Sequence, residues 1–221
     1  AILAAVPLAL IVKEPDLSTT IVTFLIIASM MFITGLSYKL VGIVLGITIP
    51  SIAILLLVIV NQGSSILEGY QSLRILAWLK PEDYPATAYQ QQNSIMAVGS
   101  GQFLGKGLYN TSVDSVKNGN YISEPHTDFI FAVAGEELGF IGSVLIVLLL
   151  LFIGYQCIQT AKVAKDLSGK LICSGMAALV GFQSFVNICV VTGLFPNTGL
   201  PLPFVSYGLT SLVTMYFGMG F

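Results

Sequence analysis

Ionisable side chains stand directly in front of a long apolar run in this chain. Glu124, His126 and Asp128 precede the run, and Glu136 and Glu137 lie inside it. A carboxylate at the start of such a helix can cap it, bind a cation or accept a proton from a reacting hydroxyl group. Carboxylates inside an apolar helix are costly unless they face a cavity or a partner. Because Glu136 and Glu137 are adjacent and point in different directions, we expect one of them to be structural.

Asp128 has two interpretations. As the N-cap of the following helix it would satisfy free backbone N–H groups, and the helix dipole would favour its ionised form. As a functional group it would accept a proton or bind a cation. Asp16 precedes another apolar run, and helix capping is again the structural alternative. His126 alone does not make a metal site.

Glycines cluster in the sequence GSGQFLGKGL at residues 99–108. This is not a nucleotide phosphate loop, because Ser100 stands where that motif needs a glycine and Gly107 stands where it needs Ser or Thr. Glycines nevertheless let a backbone approach a ligand closely, and Lys106 could meet a phosphate as a point charge. The alternatives are therefore a substrate-binding loop and a flexible turn.

The composition indicates a membrane protein. Of the 221 residues, 55% are hydrophobic and only 9% are charged, whereas soluble domains have about 25% charged residues. The net charge of −2 argues against nucleic acid as a partner. The three cysteines fall in apolar runs without a CxxC spacing, so neither a zinc site nor a disulfide framework is expected.

Apolar runs of spanning length predict the helices that position these residues. Four clear runs cover Leu17–Leu36, Leu40–Val60, Phe129–Ile158 and Leu171–Phe195, and another starts near Phe204. The run at residues 1–12 is too short to span, so we expect a portion of a longer protein. The predicted fold class is an all-α polytopic membrane protein with roughly six spans and a long extracytoplasmic loop.

Three regions follow from these runs. Residues 1–60 hold a truncated span and two transmembrane helices, residues 61–127 form the extracytoplasmic loop, and residues 128–221 hold three transmembrane helices. Prolines and glycines predict a broken or re-entrant helix near residues 196–208.

The loop is predicted to contain one amphipathic helix. Its apolar side chains share a stripe near Trp78: Leu67, Tyr70, Leu73, Leu76 and Ala77. We interpret it as an interfacial helix that lies flat on the bilayer, with a solvent-exposed connector helix as the alternative.

Lysines set the predicted orientation of the spans. Residues 160–170 carry three lysines and one acid, which places this turn in the cytoplasm. Three segments then share the external face: residues 13–18, the loop that ends at Asp128, and residues 195–208. Their convergence predicts a site at the outer mouth of the helix bundle.

Four blocks, in order along nearly the whole chain, resemble the SEDS family (shape, elongation, division and sporulation), which includes RodA, FtsW and SpoVE. The blocks are EPDLSTT (14–20), AVGSGQFLGKGL (97–108), EPHTDFIFAVAGEELGFIG (124–142) and GLFPNTGLPLPFVSYG (193–208). Such proteins have about ten spans of about 20 residues each, so the resemblance implies a C-terminal portion. Thr198 stands where division-type members tend to have lysine, which favours RodA, and Leu209 replaces the second glycine of the usual SYGG.

The resemblance implies a peptidoglycan glycosyltransferase. Such an enzyme polymerises lipid II at the outer face of the bacterial cytoplasmic membrane, where the multi-pass protein serves cell elongation and shape. The implied partner is a class B penicillin-binding protein, which crosslinks the glycan strands. The catalytic acid of the family's HTD block falls on Asp128, and the important acid of its PDL block falls on Asp16.

Asp128 is accordingly predicted to take the proton of the attacking sugar hydroxyl, with an electrostatic or metal-holding role as the alternative. The leaving pyrophosphate needs positive charge, from Lys106, Lys117 or Arg74, or from a magnesium or manganese ion held by Asp16 and Asp128. The predicted substrate-binding residues are Asp16, Lys106, Glu124, His126, Ser206 and Lys117. The competing functions are a lipid II flippase or another transporter, and a non-catalytic scaffold.

Overall fold

The computed structural model describes residues 17–35, 69–108 and 125–220, together with isolated residues outside these ranges. The described residues form six α-helices and no strands, which confirms the predicted all-α fold. The helices are α1 Leu17–Ile33, α2 Gly69–Leu79, α3 Pro85–Ser100, α4 Ile130–Val163, α5 Leu167–Val191 and α6 Leu209–Met219. The predicted span Leu40–Val60 and the run at residues 1–12 lie almost entirely outside this part of the chain.

Among the described residues, α4 and α5 are long and apolar enough to cross a membrane. α5 has 25 residues and is about 38 Å long, which exceeds the ~30 Å hydrocarbon core. The two helices pack against each other and are joined by a short turn. Asp166 in this turn accepts a hydrogen bond from the N–H of Gly169 at 3.1 Å. Asp128 and the segment after α5 therefore lie at the opposite end of the pair.

The other helices pack around this pair. α1 packs against α5, α3 packs against α4, and α2 and α6 contact α3 and α5 respectively. The buried core residues are Ala97, Ile122, Phe129, Phe131, Ala132, Leu150, Val180, Val191 and Leu202. This core lies directly behind Asp128, because Phe129 and Phe131 belong to it.

α4 is interrupted at Gly139, where φ is 68° and ψ is −163°. This backbone conformation is open to glycine and strained for other residues. The uninterrupted span predicted over Phe129–Ile158 is corrected by this break. A short helical piece, residues 130–138, carries Asp128 just before its first turn, and the long span begins at Phe140.

The described part of the region predicted to be a loop with one helix contains two helices. α2 corresponds to the predicted amphipathic helix, and Leu76 and Ala77 are buried as its stripe requires, whereas Leu73 is 40% exposed. α3 was not predicted at all.

The reason lies in the faces of α3. Its buried side chains include Gln91, Asn93 and Ser94, while Met96 is 61% exposed. A helix with a polar buried face does not produce the apolar stripe from which helices are recognised.

Candidate functional site

Asp128 lies immediately before the N-cap of α4. The N-cap is Phe129, so the structural alternative, in which Asp128 is itself the N-cap, is wrong. Its backbone is held by a different set of contacts, which come from α5 and from the segment that follows α5.

The three successive carbonyl groups of residues 126–128 each accept a hydrogen bond. In chain order, the donors are the N–H of Tyr207 at 2.9 Å, the hydroxyl of Ser206 at 2.7 Å and the side-chain amide of Asn187 at 2.7 Å. These three bonds hold the backbone at three consecutive residues, so the position from which the Asp128 side chain extends is fixed.

The loop formed by residues 193–201 follows α5 and has its carbonyl groups bound by side chains. The bonds are Trp78 to Gly193 (2.8 Å), Gln91 to Phe195 (2.6 Å), Arg74 to Asn197 (3.3 Å), Ser18 to Thr198 (3.3 Å), Asn187 to Leu200 (2.6 Å) and Gln183 to Pro201 (2.9 Å). The donors come from α1, α2, α3 and α5. Irregular backbone is tolerated where its polar groups are satisfied by other protein groups in this way.

Gly199 brings two opposite charges to one place. A Cβ atom on this residue would lie 3.4 Å from Oδ2 of Asp128 and 3.9 Å from Nη1 of Arg74. Gly199 has a positive φ of 73°, a conformation that favours glycine. Arg74 is the only arginine of the chain. The carboxylate and the guanidinium therefore lie beside the same glycine. The guanidinium can bind an anion there, and the carboxylate can accept a proton from a group next to that anion.

Two of the unsatisfied polar atoms belong to the residues just before Gly199. Four buried side-chain oxygens of the described residues have no hydrogen-bond partner: Ser184 Oγ, Asn187 Oδ1, Asn197 Oδ1 and Thr198 Oγ1. Asn197 and Thr198 immediately precede Gly199. Buried polar atoms without partners are uncommon in folded proteins, and ligands or ordered water commonly supply the partner.

Lys106 is engaged with a different carboxylate. Its Nζ lies 2.7 Å from Oε1 of Glu136, whose side chain is 1% exposed. Glu136 lies about 12 Å beyond Asp128 along the chain direction of α4, at 1.5 Å per residue. Glu137 is half-buried. Lys106 therefore pairs a side chain that is 32% exposed with a buried carboxylate, and its predicted contact with substrate stays a prediction.

The remaining predicted residues fall into two groups. Asp16, Glu124 and Lys117 lie outside the described residues, so their predicted roles stay predictions. His126 has an exposed side chain, and its carbonyl group accepts the bond from Tyr207. Ser206 is 3% exposed; it donates to Thr127 O, and it accepts from the N–H of Leu202 at 2.6 Å. The Ser206 hydroxyl thus donates one hydrogen bond to a backbone carbonyl and accepts one from a backbone N–H.

Several residues of this site were missed in the sequence, and a pattern for two of them was present. Gln183 and Asn187 are polar, lie inside an apolar helix and are four residues apart, which places them on one helical face. Gln91 and Trp78 gave no comparable pattern.

The described residues do not assemble a metal centre by themselves. Within the described residues, no three His, Cys, Asp or Glu side chains group closely enough to hold a metal ion. The magnesium or manganese ion predicted between Asp16 and Asp128 stays a prediction, since Asp16 lies outside that part of the chain.

An apolar groove of about 750 Å³ lies between α3, α4 and α5. Phe103, Phe131, Phe140, Val144 and Ile188 contribute to its lining. Since its walls are apolar, the groove offers no acid–base chemistry, and the charged pair around Gly199 remains the candidate catalytic centre.

Comparison with known proteins gives a consistent result. A family described as cell cycle proteins, comprising FtsW, RodA and SpoVE, matches residues 1–221. A protein named probable peptidoglycan glycosyltransferase FtsW from Buchnera aphidicola (subsp. Acyrthosiphon pisum) is 37% identical over 209 residues, which cover 92% of this chain and 49% of that protein. Its namesake from Geobacter sulfurreducens is 37% identical over 220 residues, covering 99% and 56% respectively.

A solved structure gives the same picture. It is described as structural coordination of polymerization and crosslinking by a peptidoglycan synthase complex. The match has a TM-score of 0.70 and 28% identity, and it covers 99% of this chain and 58% of that chain. The chain thus spans about half the length of the curated relatives it matches.

Proposed function

The chain belongs to the FtsW, RodA and SpoVE family of cell cycle proteins, and from this premise we propose that it carries the polymerising site of a peptidoglycan glycosyltransferase. The proposed reaction joins lipid II units into glycan strands at the outer face of the bacterial cytoplasmic membrane. The observation that supports it most directly is the approach of the Asp128 carboxylate and the Arg74 guanidinium to the same point beside Gly199.

Asp128 is the proposed base. The attacking sugar hydroxyl forms a bond from its oxygen to the anomeric carbon of the donor sugar, and its proton passes to the carboxylate of Asp128. The bond between that carbon and the diphosphate oxygen breaks, and the electron pair leaves with the diphosphate. A single in-line displacement of this kind inverts the anomeric carbon. The three bonds to the backbone of residues 126–128 supply the fixed geometry that such a base needs.

Arg74 is the proposed cation for the leaving diphosphate. A guanidinium binds phosphate oxygens in a bidentate manner and remains charged at all accessible pH values. Its Nη1 already donates to the carbonyl of Asn197 at 3.3 Å, which orients the group within the site. Positive charge fixed where negative charge develops stabilises the transition state.

The site's position along the helices suits a lipid-linked sugar. Asp128 lies at the start of α4, and the 193–201 loop follows the end of α5, so the site lies at the ends of two membrane-spanning helices. A sugar joined through diphosphate to a lipid has its reactive carbon at headgroup level. A site at helix ends meets that carbon without drawing it into the hydrocarbon core.

The finer parts of the proposal concern location, partner and cellular role. The protein is proposed to be a multi-pass protein of the cytoplasmic membrane that works with a class B penicillin-binding protein; a solved relative belongs to a complex of polymerisation and crosslinking. The relatives reported above are named FtsW, whereas Thr198 favours the elongation type. The role in cell elongation therefore rests on Thr198 alone.

The test is polymer formation by the purified full-length protein with its partner. Lipid II is the substrate, and the transpeptidase is inhibited so that glycan chains are observed separately from crosslinks. The proposal expects glycan polymer from the wild type and at least about 100-fold slower polymerisation from Asp128→Asn. A flippase would instead move lipid II between the leaflets of a vesicle and form no polymer, and that outcome contradicts the proposal.

A further inference from the structure

The glycine-rich segment of residues 101–107 bridges the break in α4. The N–H groups of Phe140 and Ile141 donate to the carbonyls of Gln102 and Phe103, at 2.8 and 3.3 Å. In the opposite direction, the N–H groups of Lys106 and Gly107 donate to carbonyls of Glu136 and Glu137, at 2.9 and 3.0 Å. The segment thus supplies hydrogen bonds on both sides of the interruption.

Glycine is required for this close approach. A Cβ atom on Gly105 would overlap the backbone of Glu137, and one on Gly139 would overlap the backbone N of Gly105. Gly101 meets the carbonyl of Gly135 in the same way. The backbone of the segment therefore lies directly against the backbone of α4, with no side chain between them.

The bridged piece of α4 is the one that carries Asp128. Residues 130–138 are separated from the long span by the non-helical Gly139. The angle between this short piece and the long span therefore depends on the contacts that join the two parts. The segment of residues 101–107 contacts both parts and is therefore placed to set that direction.

The ion pair between Lys106 and Glu136 is the charged contact within this bridge. Glu136 lies on the short piece, and its other carboxylate oxygen accepts a 3.4 Å bond from Ser115. The Glu136 carboxylate is 1% exposed and needs a compensating charge. The position of the Lys106 ammonium group is therefore coupled to the position of the short helical piece.

From these contacts we propose that Lys106 and Glu136 are positioning residues that hold the short helical piece, and with it Asp128, in its productive direction. This inference rests on the proposed function, because Asp128 is taken as the base. It differs from direct binding of the diphosphate by Lys106, which the sequence alone had suggested. The two roles affect different kinetic constants.

The experiment compares Lys106→Met, Glu136→Gln and the double variant in the purified full-length protein with its partner, with lipid II as substrate. A displaced base lowers the rate of the chemical step, so each single variant is expected to lower kcat about tenfold or more, with KM within about twofold of wild type. Since the residues act as one pair, the double variant is expected to lose no more than the worse single variant. Lys80→Met, the same change at an exposed lysine, is the control and is expected to behave as wild type.

A second measurement does not depend on activity. Amide hydrogen exchange of residues 130–138 is expected to rise in Lys106→Met, while α5 keeps its protection. Equal loss of protection in α5 would indicate general unfolding and would overturn the positioning role. A KM raised more than about tenfold with unchanged kcat would assign Lys106 to the substrate instead, and losses that multiply in the double variant would show two independent roles.

These outcomes are separate from those that test the proposed function. A wild-type protein that makes no glycan polymer contradicts the proposed function. The exchange measurement still decides whether the pair holds residues 130–138.

Discussion

The side-chain amide of Asn187 donates a hydrogen bond of 2.7 Å to the carbonyl oxygen of Asp128. The same nitrogen donates to the carbonyl of Leu200 at 2.6 Å, and Asn187 is 1% exposed. One buried amide on α5 thus fixes the backbone of the proposed base and the backbone of the 193–201 loop relative to each other.

Asn187→Ala tests this connection. The substitution leaves two buried carbonyl groups without their donor, and each such loss costs about 1–3 kcal/mol of folding free energy. We expect a lower melting temperature and a large loss of polymerisation. Ser184→Ala is the control, since Ser184 Oγ is buried without a partner and its removal is expected to be neutral or stabilising. Equal destabilisation by the two substitutions would contradict the connection.

Asp128→Asn tests the base. The amide keeps the shape of the side chain but does not accept the proton, so polymerisation is expected to fall by about 100-fold to 10,000-fold. Melting temperature and membrane insertion are expected to stay unchanged. Asp83→Asn makes the same chemical change in an exposed turn and is expected to retain full activity. A rate near wild type in Asp128→Asn would remove this residue from the mechanism.

Gly199→Ala tests the space between the two charged groups. The positive φ of 73° strains an alanine by about 1–2 kcal/mol, and the new methyl group stands next to both Asp128 Oδ2 and Arg74 Nη1. We expect a modest loss of stability and a larger loss of activity. Gly181→Ala, inside α5 with nothing within 4 Å of the added carbon, is the matched control and is expected to be neutral or slightly stabilising. Unchanged polymerisation in Gly199→Ala would mean that the substrate does not use this space.

Arg74→Ala tests the diphosphate contact. Loss of a charge-assisted hydrogen bond costs about 1.5–3 kcal/mol, or roughly 10-fold to 100-fold in affinity. The affinity for lipid II, measured by titration of the purified protein, is expected to fall by that amount. Arg74→Lys keeps the charge without the planar fork and is expected to fall in between. Lys80→Ala, at an exposed lysine, serves as the control, and a similar effect of both alanine variants would point to general charge attraction.

Gly139→Ala tests the bridged break in α4. The added carbon would overlap the backbone N of Gly105, so the glycine-rich segment must move, at a cost of about 1–3 kcal/mol. Gly154→Ala lies in the same helix with open space around the added carbon. Thermal unfolding should separate the two variants, and indistinguishable melting temperatures would mean that the close contact of the two backbones is not maintained.

The apolar runs predicted α4, α5 and the position of Asp128 well, for a simple reason. Hydrophobic length alone decides where a chain crosses a bilayer, so the runs at Phe129 and Leu171 located α4 and α5 to within a few residues. Asp128 directly precedes the first of these runs, which predicts that it lies at one end of the helix bundle.

The same approach failed where stability comes from polar contacts distant in sequence. α3 buries Gln91 and Ser94 because these side chains bind carbonyl groups about a hundred residues further along the chain. The break at Gly139 depends on Gly105, which lies in another segment. The approach of Arg74 to Asp128 depends on the shape of the 193–201 loop. Local patterns contain no information about such partners.

The carbonyl bonds of the 193–201 loop have a consequence for biogenesis. The loop has little repeating backbone structure of its own, and the groups that hold it come from α1, α2, α3 and α5. It therefore acquires its shape only after all four helices have docked. The proposed catalytic centre is therefore complete only when these four helices are docked, and a chain that lacks any one of them is expected to lack polymerising activity.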